Sequence, residues 1–382
     1  MKKIISMLIL VCMLAFSLAA CSTNENKRDR ALDLINRGKY EEAYEIFKDL
    51  ADREEAEKYL EHFYFIPVKV VSNGDFTLEL TYSDGHLPTK INRFNGIHTT
   101  ITDNVYNSDG NLAQSTVTDV NDNSATINKY TYDTVGNLIQ SSITYTDSEV
   151  SGIIDYTYDS NGNLIKEVRT ENYGSNRGSI ARVFDYTYDD NGNLIKEVSS
   201  MMIGDDVTSE REYSYTYDAN GNLLKCYSGD YIYLECEYDA NGNLIKETRI
   251  GFTYEYSYDS DGNLIKFTQS DGGGISITQE YTYDSNGNLI KETYEDRDMC
   301  EYTIDYEYDH NGNLVKEITT EVLNKKSTVE YTYNKFGAIT NITETKSDGT
   351  VYSLDFEWKL VYIPGELPEE LVEWVNIVDT LK

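Results

Sequence analysis

The sequence predicts a mainly β protein: an antiparallel meander of hairpins coiling into a twisted β-solenoid or open spiral, preceded by a helical hairpin and closed by a C-terminal helix. Three observations carry this. A dodecamer of the kind Tyr281–Glu292, "YTYDSNGNLIKE", recurs down most of the chain. Its centre, Asp-x-Asn-Gly, is turn chemistry. On either side the residues alternate, as strands do.

The elements follow in chain order. Lys2 and Lys3 precede an apolar run from Ile4 to Phe16 that is too short to span a membrane as a mature helix. It ends at Leu18-Ala19-Ala20-Cys21, which resembles the lipobox of bacterial lipoproteins. That resemblance implies a signal peptide over residues 1–20, lipid on Cys21, and a chain tethered to the membrane outside the cytoplasm. Cys226, Cys236 and Cys300 then remain, an odd number that makes no disulfide framework.

Residues 21–66 read as helical, with Leu32, Ile35, Tyr44, Phe47 and Leu50 spaced by three and four and a break at Gly38. The run "GKYEEAYEIF" resembles the inter-helix turn and second helix of a tetratricopeptide unit. One such unit lacks neighbours against which to bury its faces, so a spacer or cap is expected rather than a peptide-binding groove.

Residues 67–345 are the repeat array. Its turn glycines are Gly110, Gly136, Gly162, Gly192, Gly221, Gly242, Gly262, Gly287, Gly312 and Gly337, with a degenerate copy at Gly85. Asp159-Ser160-Asn161-Gly162 fits a type I turn closed by a glycine at positive φ, where other residues are strained. Strict alternation from this turn opposes Tyr158 to Leu164, Tyr156 to Lys166 and Ile154 to Val168 on one face. Thr157 then opposes Ile165, and Asp155 opposes Glu167, on the other. Roughly twenty strands at ~4.8 Å spacing extend on the order of 100 Å if flat, and accumulated twist is expected to coil them.

The same register sets like charges against each other at Asp155/Glu167, Asp185/Glu197, Glu235/Glu247, Glu280/Glu292 and Asp305/Glu317. Such pairs are mildly destabilising unless a cation or a lysine intervenes. They form either a weak cation-binding stripe or a solvated face; no metal centre or cofactor is otherwise indicated. Cys226 falls at the Glu167 position and Cys236 at the Tyr156 position. The two thiols are therefore expected on opposite faces and unbridged. The tyrosines, 34 in all, serve either as packed core or as a platform for a glycan.

A formal charge of −33 excludes nucleic acid as a partner. His62, His86, His98 and His310 show no ligand or triad spacing, no phosphate loop or nucleophile elbow is present, and no catalysis is expected.

At Tyr158-Asp159…Gly162…Leu164, and at Tyr188, Tyr217, Tyr238, Tyr258, Tyr283 and Tyr308 with their following aspartates, the chain resembles the YD-repeat (rearrangement-hotspot) family. The resemblance implies hairpins wound into a β-shell, which in large members encloses a toxic C-terminal domain. Here residues 346–382 read as a cap, with an amphipathic segment carrying Leu371, Trp374, Val375, Val378 and Leu381. Two functions follow as expectations. The first is a lipid-anchored envelope surface binding a glycan or protein partner; the second is a structural shell or scaffold related to the toxin-encapsulating repeats.

Overall fold

A computed structural model describes residues 27–50, 53–72, 76–83, 87–174, 178–204, 206–298 and 300–363. The expected lipidation site at Cys21 and the expected C-terminal helix lie outside them.

The N-terminal segment forms three helices where a hairpin of two was expected: α1 (27–36), α2 (Tyr40–Lys48) and α3 (Arg53–Leu60). Gly38, at φ 68°, turns the chain between the first two. Ala31, Leu34, Ala43, Phe47, Leu50 and Ala56 point inward together, and Tyr59 stacks on Phe47 at 4.5 Å.

All strands join one 24-stranded sheet. It begins β1 (Phe63–Ser72), β2 (Thr77–Tyr82), β3 (Pro88–Phe94), β4 (Thr99–Tyr106), β5 (Leu112–Asp119) and β6 (Ala125–Tyr132). It continues β7 (Leu138–Tyr145), β8 (Val150–Tyr158), β9 (Leu164–Tyr173), β10 (Ser179–Tyr188), β11 (Leu194–Ile203) and β12 (Asp206–Tyr217). Next come β13 (Leu223–Ser228), β14 (Tyr231–Tyr238), β15 (Leu244–Arg249), β16 (Phe252–Tyr258), β17 (Leu264–Asp271) and β18 (Gly274–Tyr283). The last are β19 (Leu289–Asp296), β20 (Glu301–Tyr308), β21 (Leu314–Glu321), β22 (Lys326–Tyr333), β23 (Ile339–Thr345) and β24 (Val351–Tyr362).

The chain divides into two compact units. The first holds the helices with β1 up to Val70, residues 78–91 and β24 from Phe356. Its core runs from Phe47 and Leu50 through Phe63 to Leu360, and Phe63 meets Tyr362 edge-on at 5.0 Å. Ile66 and Val361 are fully buried together. Here β1 pairs with both β2 and β24, and the Ile363 N–H donates to the His62 carbonyl at 2.8 Å. First strand beside last makes the strand order cyclic. This corrects the expected solenoid or open spiral, which has two free edges; edge strands leave a row of backbone donors and acceptors unpaired, and closure removes it.

The second unit, residues 71–77 and 92–355, carries the repeats. Neighbouring strands pair antiparallel, so the Asp-x-Asn-Gly turns occupy one edge of the sheet and the variable connections occupy the opposite edge.

Candidate functional site

The repeated dodecamer is the natural place to look for chemistry, and the side chains of its Tyr-Asp pair and of the asparagine after the glycine bond locally. Asp159 opens its turn: its N–H donates to the Asn163 carbonyl at 2.9 Å and its carbonyl accepts from the Gly162 N–H at 3.2 Å. One carboxylate oxygen accepts from the N–H groups of Asn161 (2.8 Å) and Asn163 (2.9 Å), the other from the Asn163 amide at 3.0 Å. These bonds, led by that of the Asn163 side chain, hold the Asp159 carboxyl below the usual carboxylate range. Gly162 sits at φ 88°, and all ten predicted turn glycines have positive φ.

The tyrosine of each Tyr-Asp pair ties one repeat to the one before. The Tyr158 hydroxyl donates to the Leu138 carbonyl at 3.0 Å, Tyr188 to Leu164 at 2.9 Å, Tyr217 to Leu194 at 2.8 Å and Tyr308 to Leu289 at 2.8 Å. The acceptor is always the leucine that follows the turn.

That leucine also marks a departure from the expected register. Tyr158 opposes Leu164 as predicted, but Thr157 then opposes Lys166, leaving Ile165 as the extra residue of a β-bulge. Every residue beyond it changes face. Tyr156 opposes Glu167 rather than Lys166, and Ile154 opposes Arg169 rather than Val168. The same shift recurs before Tyr188, Tyr238, Tyr283 and Tyr308.

The acidic pairs are consequently not opposed. Asp155 faces Val168, Asp185 faces Val198, Glu235 faces Thr248, Glu280 faces Thr293 and Asp305 faces Ile318. These acids meet the lysine of the preceding repeat instead: Lys166 with Asp185 at 3.1 Å, Lys225 with Glu235 at 2.8 Å, Lys266 with Glu280 at 2.8 Å. Lys291 lies opposite Asp305, and Asp155 accepts from Gln140 at 2.7 Å. The Lys–Thr face is thus a ladder of alternating charge, without the opposed carboxylates on which the expected cation stripe was built.

Glu167, Glu197, Glu247, Glu292 and Glu317 turn instead to the tyrosine face, a placement the alternation pattern missed. Glu167 is 6% exposed and is held by Arg169, whose guanidinium lies 4.8 Å over Phe184. Glu247 is held by Arg249. The others take phenols: Glu197 accepts from Tyr215 at 3.4 Å, Glu292 from Tyr306 at 3.3 Å, Glu317 from Tyr331 at 2.5 Å. Burial first, then these carboxylates, push the Tyr186 phenol up to about 12 and raise Tyr215, Tyr306 and Tyr331 as well. The tyrosines of the repeated motif, such as Tyr156, Tyr158, Tyr186, Tyr188, Tyr306 and Tyr308, are half-buried and packed, whereas Tyr231, Tyr233 and Tyr352 are exposed.

The bulges also correct the cysteines. Ser228 opposes Tyr231 as expected, but a shift places Cys226 opposite Leu234, so Cys226 and Cys236 share the tyrosine face. Both are buried free thiols, and Cys300 is an exposed one.

Depressions lie on both faces of the sheet and at its turn edge. One of about 670 Å³ on the Lys–Thr face is lined by Lys266, Glu280, Thr293, Thr303 and Thr320 and ends at the turn Val322–Asn324. Another of about 480 Å³ lies between successive turns, lined by Asp259, Asn263, Ile265, Tyr283 and Asn286. A hollow of about 320 Å³ on the tyrosine face is lined by Tyr130, Ile143, Gly152, Ile154 and Arg169. None of the three joins a nucleophile to a base. Among the described residues no group of three or more His, Cys, Asp or Glu side chains is placed to hold a metal ion, and no helix is long and apolar enough to cross a membrane.

The molecule is a cyclic sheet of hairpins whose signature residues bond to one another. A sequence model of the Teneurin YD-shell family matches residues 66–245, 181–315 and 248–347, and the chain belongs to that family. No curated protein matches it. Among solved structures, the TcdB2-TccC3-Cdc42 complex is similar at 14% identity and a TM-score of 0.34, over 76% of this chain. The match spans only a fifth (20%) of that protein's length. Two porin-like proteins also align, from Bacteroides uniformis (14% identity, TM-score 0.22, 51% of this chain and 97% of that one) and Bacteroides vulgatus (12%, 0.21, 76% and 98%).

Proposed function

We propose that this chain is a non-catalytic structural shell or scaffold, held outside the cytoplasm by lipid on Cys21. The observation that carries the reading is how the motif is used. Asp, Asn, Gly, Tyr and Leu of each repeat are engaged in closing a turn or joining the next repeat, and the Lys–acid and Tyr–Glu rows continue that bonding across both faces. Residues committed this way build length and rigidity, not a reaction centre. Membership of the YD-shell family supports the same reading over that of a glycan-binding surface.

Glycan arrays probed with the purified chain test it. The expected result is no saturable signal; saturable glycan binding that is lost in Tyr156→Ala would restore the binding-surface reading. Lipidation is tested separately by metabolic labelling with an alkyne fatty acid, which the wild type incorporates and Cys21→Ala does not.

A further inference from the structure

Large exposed apolar side chains are unevenly placed on the second unit. Apart from Val105, Val135 and Ile265, those of the described residues all sit at or beside the variable connections. The Asp-x-Asn-Gly edge is polar and self-bonded; the opposite edge is fringed with apolar tips. They are densest across β11–β18, at four successive connections: Ile203, Val207, Tyr231 (78% exposed), Ile232, Ile250 (70%) and Ile275 (63%). Exposed apolar groups gathered on one edge, with the other edge spared, mark an interaction surface.

We infer that this edge docks a cationic amphipathic helix of a partner polypeptide. Spacing is the first argument. Each connection follows the last by two strands, ~9.6 Å at ~4.8 Å per strand. A helix rises ~1.5 Å per residue, so its large apolar residues recur every ~10.5 Å at a seven-residue interval. Such a helix lying along the edge meets one tip per two turns. Charge is the second argument. Asp206 and Asp230 flank the tips, and the molecule carries −33. Two of the nearby cations are already engaged: Arg249 holds Glu247 and lies over Tyr254, and Arg297 forks onto Asp271 at 3.1 and 2.8 Å. A second copy or an anionic bilayer brings repelling charge, whereas a lysine-rich helix brings the complement.

The probe is a labelled Leu/Lys peptide with heptad-spaced leucines, titrated against the purified chain by fluorescence anisotropy. Controls are a scrambled peptide of equal composition and a glutamate version. The expected result is saturable binding of the heptad peptide, weakened at least tenfold in the triple variant Tyr231→Ser/Ile250→Ser/Ile275→Ser and unchanged in Val135→Ser on the opposite edge. All four positions are exposed, and circular dichroism verifies that the variants fold. Equal binding by the scrambled peptide or by the triple variant overturns the proposal, since charge alone then accounts for it. Self-association, or capture by phosphatidylcholine vesicles, without peptide binding also overturns it and assigns the edge to a second copy or to a bilayer. None of these outcomes bears on the glycan test, so the two readings fail separately.

Discussion

The Tyr188 hydroxyl donates a 2.9 Å hydrogen bond to the Leu164 carbonyl of the preceding repeat. A part-buried hydrogen bond contributes about 1 kcal/mol net. Tyr188→Phe is therefore expected to lower stability by about that amount in denaturant titration, whereas Tyr231→Phe at an exposed tip leaves the midpoint unchanged. Gly162→Ala forces a side chain to φ 88° and should cost about 1–2 kcal/mol. Alkali provides an independent readout. Tyr186 and Tyr238 have folded pKa values raised from 10.0 to about 12, in both cases chiefly through burial. A raised value means that the folded state favours the protonated phenol. Its contribution is complete below pH 10 and is lost as pH rises towards 12. Tyrosinate absorbance should accordingly lag behind that of free tyrosine and then rise together with loss of β-sheet signal; ionisation of all phenols near pH 10 in the intact fold would contradict the packed tyrosine face. The turn was legible at this scale because its chemistry is local. Asp159, Asn161, Gly162 and Asn163, all within five consecutive residues, determine their own bonds without reference to the rest of the chain.

Between turn and strand, the bulge at Ile165 decides what each face carries. Inserting an alanine after Ile165 shifts everything beyond the bulge by one residue. Lys166 then moves opposite Tyr156 and away from Asp185, and Glu167, still beside Arg169, leaves the tyrosine face for a position opposite Asp155. Loss of the Lys166–Asp185 pair and creation of a like-charge pair predict a marked fall in melting temperature for this insertion, larger than for Ile165→Ala, which keeps the register. A similar drop for both variants would mean that the side chain, not the register, matters there. The sequence contained a hint of this: Leu164-Ile165 places two apolar residues in succession where strict alternation allows one. Read by period alone, the run after each glycine yields the wrong partners, because a bulge depends on tertiary fit more than on residue type. The cysteines follow from the same shift. Burial raises the Cys226 and Cys236 thiols and shields them, so a thiol reagent should label Cys300 quickly and the other two only on unfolding.

Closure is the property least visible in the residues. Turns and alternation are written within a repeat, but nothing in "FYFIPVKVVS" names "VYSLDFEWKLVY" as its neighbour. Both strands are apolar and neither contains the repeat, which suits any edge that must be covered. Their pairing depends on how far twist has carried the intervening strands, a sum over many small angles that no local pattern specifies. The burial is nonetheless recorded at the join, where Ile66 and Val361 lose all exposure and Phe63 packs between Phe47 and Tyr362. Native-state hydrogen exchange measures the consequence. In an open array the outer amides of the first and last strands exchange through local fraying, far faster than those of β10 or β11. With β1 bonded to β24, amides of both strands should be protected at a level comparable to the central ones. Val361→Asp places a charge in that buried join and should release β1 and β24 first, with β10 and β11 still protected under the same conditions. Fast exchange of both terminal strands in the wild type would show that the ring is open in solution, and would return the molecule to the spiral that its repeats alone suggest.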